Sequence, residues 1–282
     1  MERARPQDLG EGVWRFQSSL WQTNSLLAEA GGEILLCDPA FSHAEIEAIR
    51  AETERRRAGA IRLVVTHADF DHTCGIPYFP AAEVIAGEET AAKIGSGAAE
   101  ESLRTYGPPW GGDWPDTALR IDNALPAGQE AECGAFRMAV IDSPSHGREG
   151  SAYVLLDQGI LLPGDHISAM TYPFLGGSVA RAIEANERLL EAIDRHDLRW
   201  VVPGHGPALA PAEARQIGEK DLAYLRRLEA AARKARAAGL PDGYALLEVY
   251  EVEPPRETTP DFEVYELRTS NARRVLEELA LR

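Results

Sequence analysis

Apolar and polar positions alternate in short bursts over the first forty residues, with polar or Gly-Gly turns between the bursts. On that pattern Val13–Gln17, Trp21–Glu29 and Glu33–Cys37 read as three strands, the last running straight into Asp38-Pro39. The period then changes. Ser42 is placed to cap a helix of about fifteen residues rich in Ala, Glu and Arg. Ile61–Thr66 is a short apolar run of the buried-strand kind, Glu83–Ala86 a further strand and Glu88–Ile94 a helix. Residues 95–116 break the rhythm with Tyr106-Gly-Pro-Pro-Trp110-Gly-Gly-Asp-Trp114-Pro and read as a long loop, a feature that in compact domains is often functional.

Strands return at Ala118–Ile121, Glu130–Cys133, Phe136–Asp142, Ser151–Asp157 and Gly159–Leu162, followed by a helix over Ala180–Arg195 and a strand over Trp200–Val202. From Pro211 the pattern is helical: Ala212–Ala238, Asp242–Val252 and Ser270–Ala280, with the Pro-rich Glu253–Pro260 between the last two. Leu222, Leu225 and Leu228 share one face of the first of these, suited to packing on the rest of the chain or on a second copy, so a homodimer stays open. Strands alternate with helices in both halves, yet many strands come in hairpin-like groups. That predicts an α/β fold with mixed sheets covered by helices, not a doubly wound parallel sheet.

Composition narrows the partners. The chain has 282 residues, enough to bury a core without staples. Its formal net charge of −16 repels phosphate backbones, which argues against nucleic acid, although part of that acid can serve as metal ligand. Cys37, Cys74 and Cys133 are too few and too scattered for a disulfide framework or a cysteine zinc site, and suit a reducing compartment. The start is polar, and no run approaches the roughly 18–20 apolar residues of a membrane span. The expectation is a cytoplasmic protein, off the membrane, that acts on a small molecule.

Five times a short apolar strand ends on side chains that bind metals. The strand before Asp38 is the first. Ile61–Thr66 runs into His67-Ala68-Asp69-Phe70-Asp71-His72. Phe136–Ile141 leads to Ser-Pro-Ser-His146-Gly, Gly159–Leu162 to Pro-Gly-Asp165, and Trp200–Val202 to Pro-Gly-His205-Gly. Imidazole and carboxylate are the usual ligands of zinc, iron and manganese, and the Gly and Pro beside them allow tight turns. Singly each is weak: the His/Asp run passes for a polar turn, His146 for a loop histidine, Asp165 for a turn residue. Their joint order is what carries weight. His43 and His196 lie in charged, helical surroundings and read as surface residues, His166 as structural, and Cys74 as a small buried side chain.

In order and spacing these motifs resemble the metallo-β-lactamase superfamily, in which an HxHxDH motif is followed by a distal His, Asp and His. The resemblance covers roughly residues 10–210. It implies an αββα sandwich of two mixed β-sheets flanked by helices over residues 1–210, with residues 211–282 a helical extension packed on it. It implies that His67 and His146, with position 69, hold one metal, that Asp71, His72 and His205 hold a second, that Asp165 bridges the two, and that Asp38 orients a ligand from behind. One position departs: the family usually has His where this chain has Asp69. Either Asp69 is a carboxylate ligand, as a Glu is in the flavodiiron branch, or it is too short to reach and the first site is weak. The first reading is preferred, because an unpaired buried carboxylate beside a metal cage is costly. The cofactor expectation is two divalent ions, zinc first, with iron or manganese admitted by the added oxygen donors.

The activity the resemblance implies is hydrolysis of an ester, thioester, lactone, amide or phosphoester by a metal-activated water, with Asp71 taking and returning the proton. Thioesterases of glyoxalase II type and lactonases remain open. The nuclease branches are disfavoured by charge and by the lack of their inserted domain, and the flavodiiron branch by length. The alternatives are an iron-dependent dioxygenase of persulfide-dioxygenase type, or a binding module with a structural cage. For the substrate, Tyr106, Trp110, Trp114 and the Tyr172-Pro-Phe174 segment are candidates for an apolar wall, against the alternative that they pack on the C-terminal helices. Arg148 is a candidate for binding a substrate anion, against a surface ion pair.

Overall fold

The computed structural model describes residues 6–107, 118–144, 146–259 and 266–280. A seven-stranded mixed sheet is laid down in chain order. β1 (Gln7–Gly10), β2 (Val13–Gln17), β3 (Asn24–Ala30) and β4 (Glu33–Cys37) form an antiparallel meander. From β4 the sheet turns parallel through β5 (Ile61–Val65), β6 (Glu83–Gly87) and β7 (Asn123–Leu125). Parallel pairing needs crossovers, and the helices supply them: α1 (His43–Arg55) lies between β4 and β5, α2 (Phe70–Thr73) between β5 and β6, and α3 (Glu88–Gly95) and α4 (Ala98–Tyr106) between β6 and β7. The second sheet has the order β12 (Trp200–Val201), β11 (Ile160–Leu162), β10 (Ser151–Leu155), β9 (Phe136–Asp142), β8 (Glu130–Cys133), antiparallel except for the β11–β12 pair.

The layers follow from the two-residue period of strand side chains. Leu27, Ile34, Leu36, Leu63, Val65 and Val84 pack with Ile46 and Ile49 of α1 and Ile94 of α3. Their neighbours Leu26, Ala28, Leu35, Cys37, Val64 and Ile85 pack instead on Phe136, Met138, Val140, Tyr153 and Leu155 of the second sheet. On that sheet's other face, Ala152, Val154, Leu161 and Val201 meet Leu189 and Ile193 of α5 (Val179–Arg195) and Ala214 of α6 (Pro211–Ala237). The result is an αββα sandwich, and Leu63–Val65 of β5 and Ala152–Leu155 of β10 are buried without a polar alternation because both faces are covered there.

α6, α7 (Asp242–Tyr250) and α8 (Leu267–Ala280) share a further core with Tyr172, Leu175, Val179 and Ala182. Among the described residues no helix is long and apolar enough to cross a membrane.

Ser42 caps α1 in a reciprocal arrangement with Glu45, as its position suggested. Elsewhere the elements shift. β3 starts at Asn24, not Trp21, because Trp21 and Gln22 take left-handed φ angles of 50° and 47° and turn the chain. Residues 98–106 form α4 where a loop was expected, with Ala99 and Leu103, one turn apart, in the core. The strand expected at Ala118–Ile121 is displaced: Asn123–Leu125 is the segment that pairs with β6. The Pro-rich stretch after α7 is described as far as Thr259.

Candidate metal centre

The strand ends of both sheets converge. After β4, Asp38 sits at φ 44°, a left-handed conformation that Asp tolerates better than most residues. Its carboxylate accepts from Thr66 N at 2.9 Å and Thr66 Oγ1 at 2.6 Å, and lies 3.0 Å from His72 Nδ1. Asp38 therefore fixes the turn after β5 and the ring of His72 together. His205 Nδ1 lies 3.0 Å from the carbonyl oxygen of Trp21, and His67 Nδ1 lies 3.0 Å from Thr66 Oγ1. With their Nδ1 atoms engaged, His67, His72 and His205 turn Nε2 toward one another and toward Asp165. The Asp165 carboxylate is 3.5 Å from His67 Nε2, 3.3 Å from His72 Nε2, 3.4 Å from His205 Nε2 and 3.4 Å from His146 Nδ1.

The crowding demands glycine behind the cage. A Cβ on Gly204 would run into Asp165 Oδ1 and the ring of His72. Ile167, two residues past Asp165, holds a φ of 56°, an outlier for a β-branched residue of the sort that collects at functional sites.

Three donor groups have ligand atoms within 4.8 Å of one another: His67, Asp69 and His146; Asp71, His72 and His205; and His67, His72 and Asp165. The third joins the first two. His67 Nε2, His72 Nε2 and Asp165 Oδ1 are buried and have no hydrogen-bond partner. Buried donors and acceptors left so cost about 1–3 kcal/mol each, and a cation among them removes that cost. The donor set fits divalent ions. Electrostatics agree: burial opposes ionisation of Asp165, yet His205, His67 and His72 hold its carboxyl well below the usual carboxylate range. Burial likewise opposes a charge on Asp69, and His146 beside it more than compensates.

Asp69, the residue that departs from the expected pattern, lies within the first donor group and contacts His146 Nε2. Its second oxygen is 3.4 Å from Lys93 Nζ, which also donates to the buried Glu149 at 2.7 Å. Glu149 in turn accepts from Thr90 Oγ1 at 2.9 Å. Lys93 and Glu149 were not singled out in the sequence, where they look like ordinary surface charges. Cys74 is buried with its thiol directed at the carbonyl of Phe41, and Cys37 and Cys133 are buried as well.

A cavity of about 420 Å³ opens on the cage. Asp69, Asp71, His146, Asp165 and His205 line one end, and Trp21, Phe70, Tyr106, Tyr172 and Phe174 its sides. Tyr172 also packs edge-on against Tyr224 of α6, 5.4 Å between centroids, so wall and helix packing are one contact. His166 lines the cavity too, held by the carbonyl of Pro144, and burial pushes its pKa down to about 4. Arg148 is not brought there. It lines a separate cleft with Arg181 and Arg274. Trp110 and Trp114 lie outside the described residues. Trp21 and Phe70 were not anticipated: Phe70 stands inside the motif, whereas Trp21 lies far from it in sequence and reaches the cavity only through the fold.

Comparison with known proteins gives a consistent frame. The model of the metallo-beta-lactamase superfamily matches residues 19–206, a span that contains Asp38 and every cage residue through His205. No curated protein matches the chain. A metallo-beta-lactamase family protein from Thermus thermophilus is similar in structure with a TM-score of 0.63 at 21% identity, over 97% of this chain and 94% of that one. A metallo-beta-lactamase from Pontibacter korlensis gives 0.60 at 16%, over 79% and 98%. One from Pseudomonas aeruginosa, in a mono-zinc form, gives 0.57 at 17%, over 77% and 96%. At these identities the likeness is one of fold.

Proposed function

Because the chain belongs to the metallo-β-lactamase superfamily, we propose that it is a metal-dependent hydrolase that holds two divalent ions and opens an ester, thioester or lactone bond in a small molecule. The observation that carries this reading is the convergence of three buried, unpartnered donor atoms on the ground shared by two ligand groups. His67, Asp69 and His146 would hold one ion, Asp71, His72 and His205 the other, with Asp165 common to both. Bound there, the ions supply a water of lowered pKa and polarise the carbonyl oxygen.

The chain's own residues do the rest. One oxygen of Asp71 faces both His72 and His205 Nε2 at 3.4 Å. The carboxylate is thus placed to accept a proton and return it to the leaving group. Asp38 keeps His72 in the tautomer whose Nε2 is free to bind. The aromatic sides of the cavity offer apolar contact to the substrate's non-reacting part.

Protein purified without chelators, analysed for metal and assayed with zinc, manganese and iron on esters, thioesters, lactones and phosphodiesters, tests the proposal. Two equivalents per chain and turnover of a carbonyl substrate are expected, with one equivalent left in Asp69→Ala. A single tight ion indifferent to Asp69→Ala would refute the first ligand group, and no turnover of any bond type would refute the hydrolase.

A second reading has one observation in its favour. Each private ligand group joins two histidines to one carboxylate, the donor set of non-haem iron oxygenases. Oxygen uptake by the iron-loaded protein, with no hydrolysis, would select it.

A further inference from the structure

The helical C-terminal segment contributes Asp221 and Leu225 of α6, Arg256 after α7 and Leu267 of α8 to the lining of the cavity that opens on the cage. Arg256 is the one arginine or lysine among the described residues lining this cavity, and its charge is already committed. Its Nε donates to the Thr171 carbonyl at 2.7 Å and its Nη2 to Asp221 Oδ2 at 2.8 Å, while Nη1 stands 2.7 Å from Asp221 Oδ1. Asp221 is 1% exposed, so water does little to loosen the pair. A substrate anion reaching Arg256 would set a second anion on a guanidinium already paired with the buried Asp221 carboxylate. Besides this pair and the cage residues, the lining is mostly apolar, from Trp21, Phe70, Tyr172, Phe174 and Leu225, with a few neutral polar groups such as Ser102 and Thr171. At the cage, Asp69, Asp71 and Asp165 add carboxylates to the lining. The chain as a whole carries a charge of −16, which raises no anion's local concentration.

We propose that the substrate is an uncharged ester or lactone bearing an apolar chain or ring, and that Asp221 is the specificity-determining residue that excludes anionic tails. The proposal rests on the hydrolase reading for the bond and narrows it. Thioesters of phosphorylated carriers and acids with a free distal carboxylate fall outside. Arg256 acts through Asp221 here: it is held as the partner of a carboxylate, leaving the pocket with a polar yet electrically balanced patch.

N-Phenyl-1-naphthylamine and 8-anilino-1-naphthalenesulfonate share a ring skeleton and differ by one sulfonate. Fluorescence titration of each into the full-length, metal-loaded protein at pH 7.5 reads the selectivity without turnover. The wild type is expected to bind the neutral probe at least tenfold tighter. Asp221→Asn, which leaves Arg256 unbalanced at unchanged size, should tighten the sulfonate until the ratio falls below threefold. The double variant Asp221→Asn/Arg256→Gln removes both charges and should restore the neutral preference, which assigns the change in the single variant to unbalanced Arg256; if the single variant does not fold, Asp221→Ala takes its place with the same expected loss of selectivity. Hydrolysis of 4-nitrophenyl hexanoate against mono-4-nitrophenyl adipate should follow the same pattern in kcat/KM. Equal or tighter sulfonate binding by the wild type, or a folded Asp221→Asn with an unchanged ratio, overturns the proposal. Absence of hydrolysis with the probe preference intact would sink the hydrolase reading alone.

Discussion

Burial pushes the Asp221 carboxyl up to about 6, against the pull of Arg256. An acid raised in the folded state above its ordinary value of about 3.9 keeps a proton that the unfolded chain has released. Its contribution to stability is therefore complete below about pH 4 and is lost as the pH rises through 6. Between pH 4 and 7 the wild type should lose on the order of 2–3 kcal/mol relative to Asp221→Asn, which cannot titrate. Urea unfolding of both proteins across that range measures it, and parallel curves would show that Arg256, not burial, governs the carboxyl. Such residues were illegible in the sequence for a plain reason. Asp221 and Arg256 are 35 positions apart and Lys93 and Glu149 are 56 apart, each pair brought together by helix packing or a crossover. His67, Asp69, Asp71 and His72 were legible because four ligand-type side chains fall within six consecutive residues after one strand. Gly204 lies between: its Pro-Gly-His setting announced a tight turn, but the contact with Asp165 that forbids a side chain is visible only in three dimensions.

Elements whose sequence period matched their surroundings were read with nearly their observed bounds. β2, β4 and β9 fall where the alternation put them, and α1 starts at the capping serine. The misreadings came where a local signal competed with packing. Gly95 and Gly97 suggested a loop, yet Gly97, at φ 82°, marks a helix start, and the core holds α4 through Ala99 and Leu103. α5 shows an element fixed from a distance. Ser178 accepts from Arg181 N, and Glu278 of α8 accepts from Ser178 Oγ at 2.7 Å and Val179 N at 2.6 Å. A carboxylate there satisfies free N–H groups and the positive end of the helix dipole. Glu278→Ala should cost about 1 kcal/mol, the usual worth of a cap. Thermal unfolding reads the loss, and an unchanged midpoint would mean that Ser178 alone caps the helix.

For the whole molecule, the cage is also a joint. Asp38 and residues 67–72 follow strands of the seven-stranded sheet, whereas His146, Asp165 and His205 follow strands of the other. On the proposed ligand assignment, an ion bound by both sets would tie the sheets together at one end of the sandwich. Ligands that bind only the folded state stabilise it by mass action, about 4 kcal/mol at a thousand times Kd. Removing metal with a chelator should lower Tm by about ten degrees in a chain of this size, with recovery on adding zinc or manganese. A chelator-insensitive Tm would mean that the sandwich core alone sets stability.

Each strand of the seven-stranded sheet pairs with its immediate predecessor in the chain. As the polypeptide leaves the ribosome, that sheet can therefore grow one strand at a time, with every partner already made. Its cover cannot keep pace. Leu26, Leu35, Val64 and Ile85 wait for Phe136, Met138 and Tyr153, which are synthesised later. A nascent chain with its first 125 residues outside the ribosome would display a complete sheet with one greasy face bare and four of the seven candidate metal donors. That is the stage of synthesis at which a chaperone has most to protect.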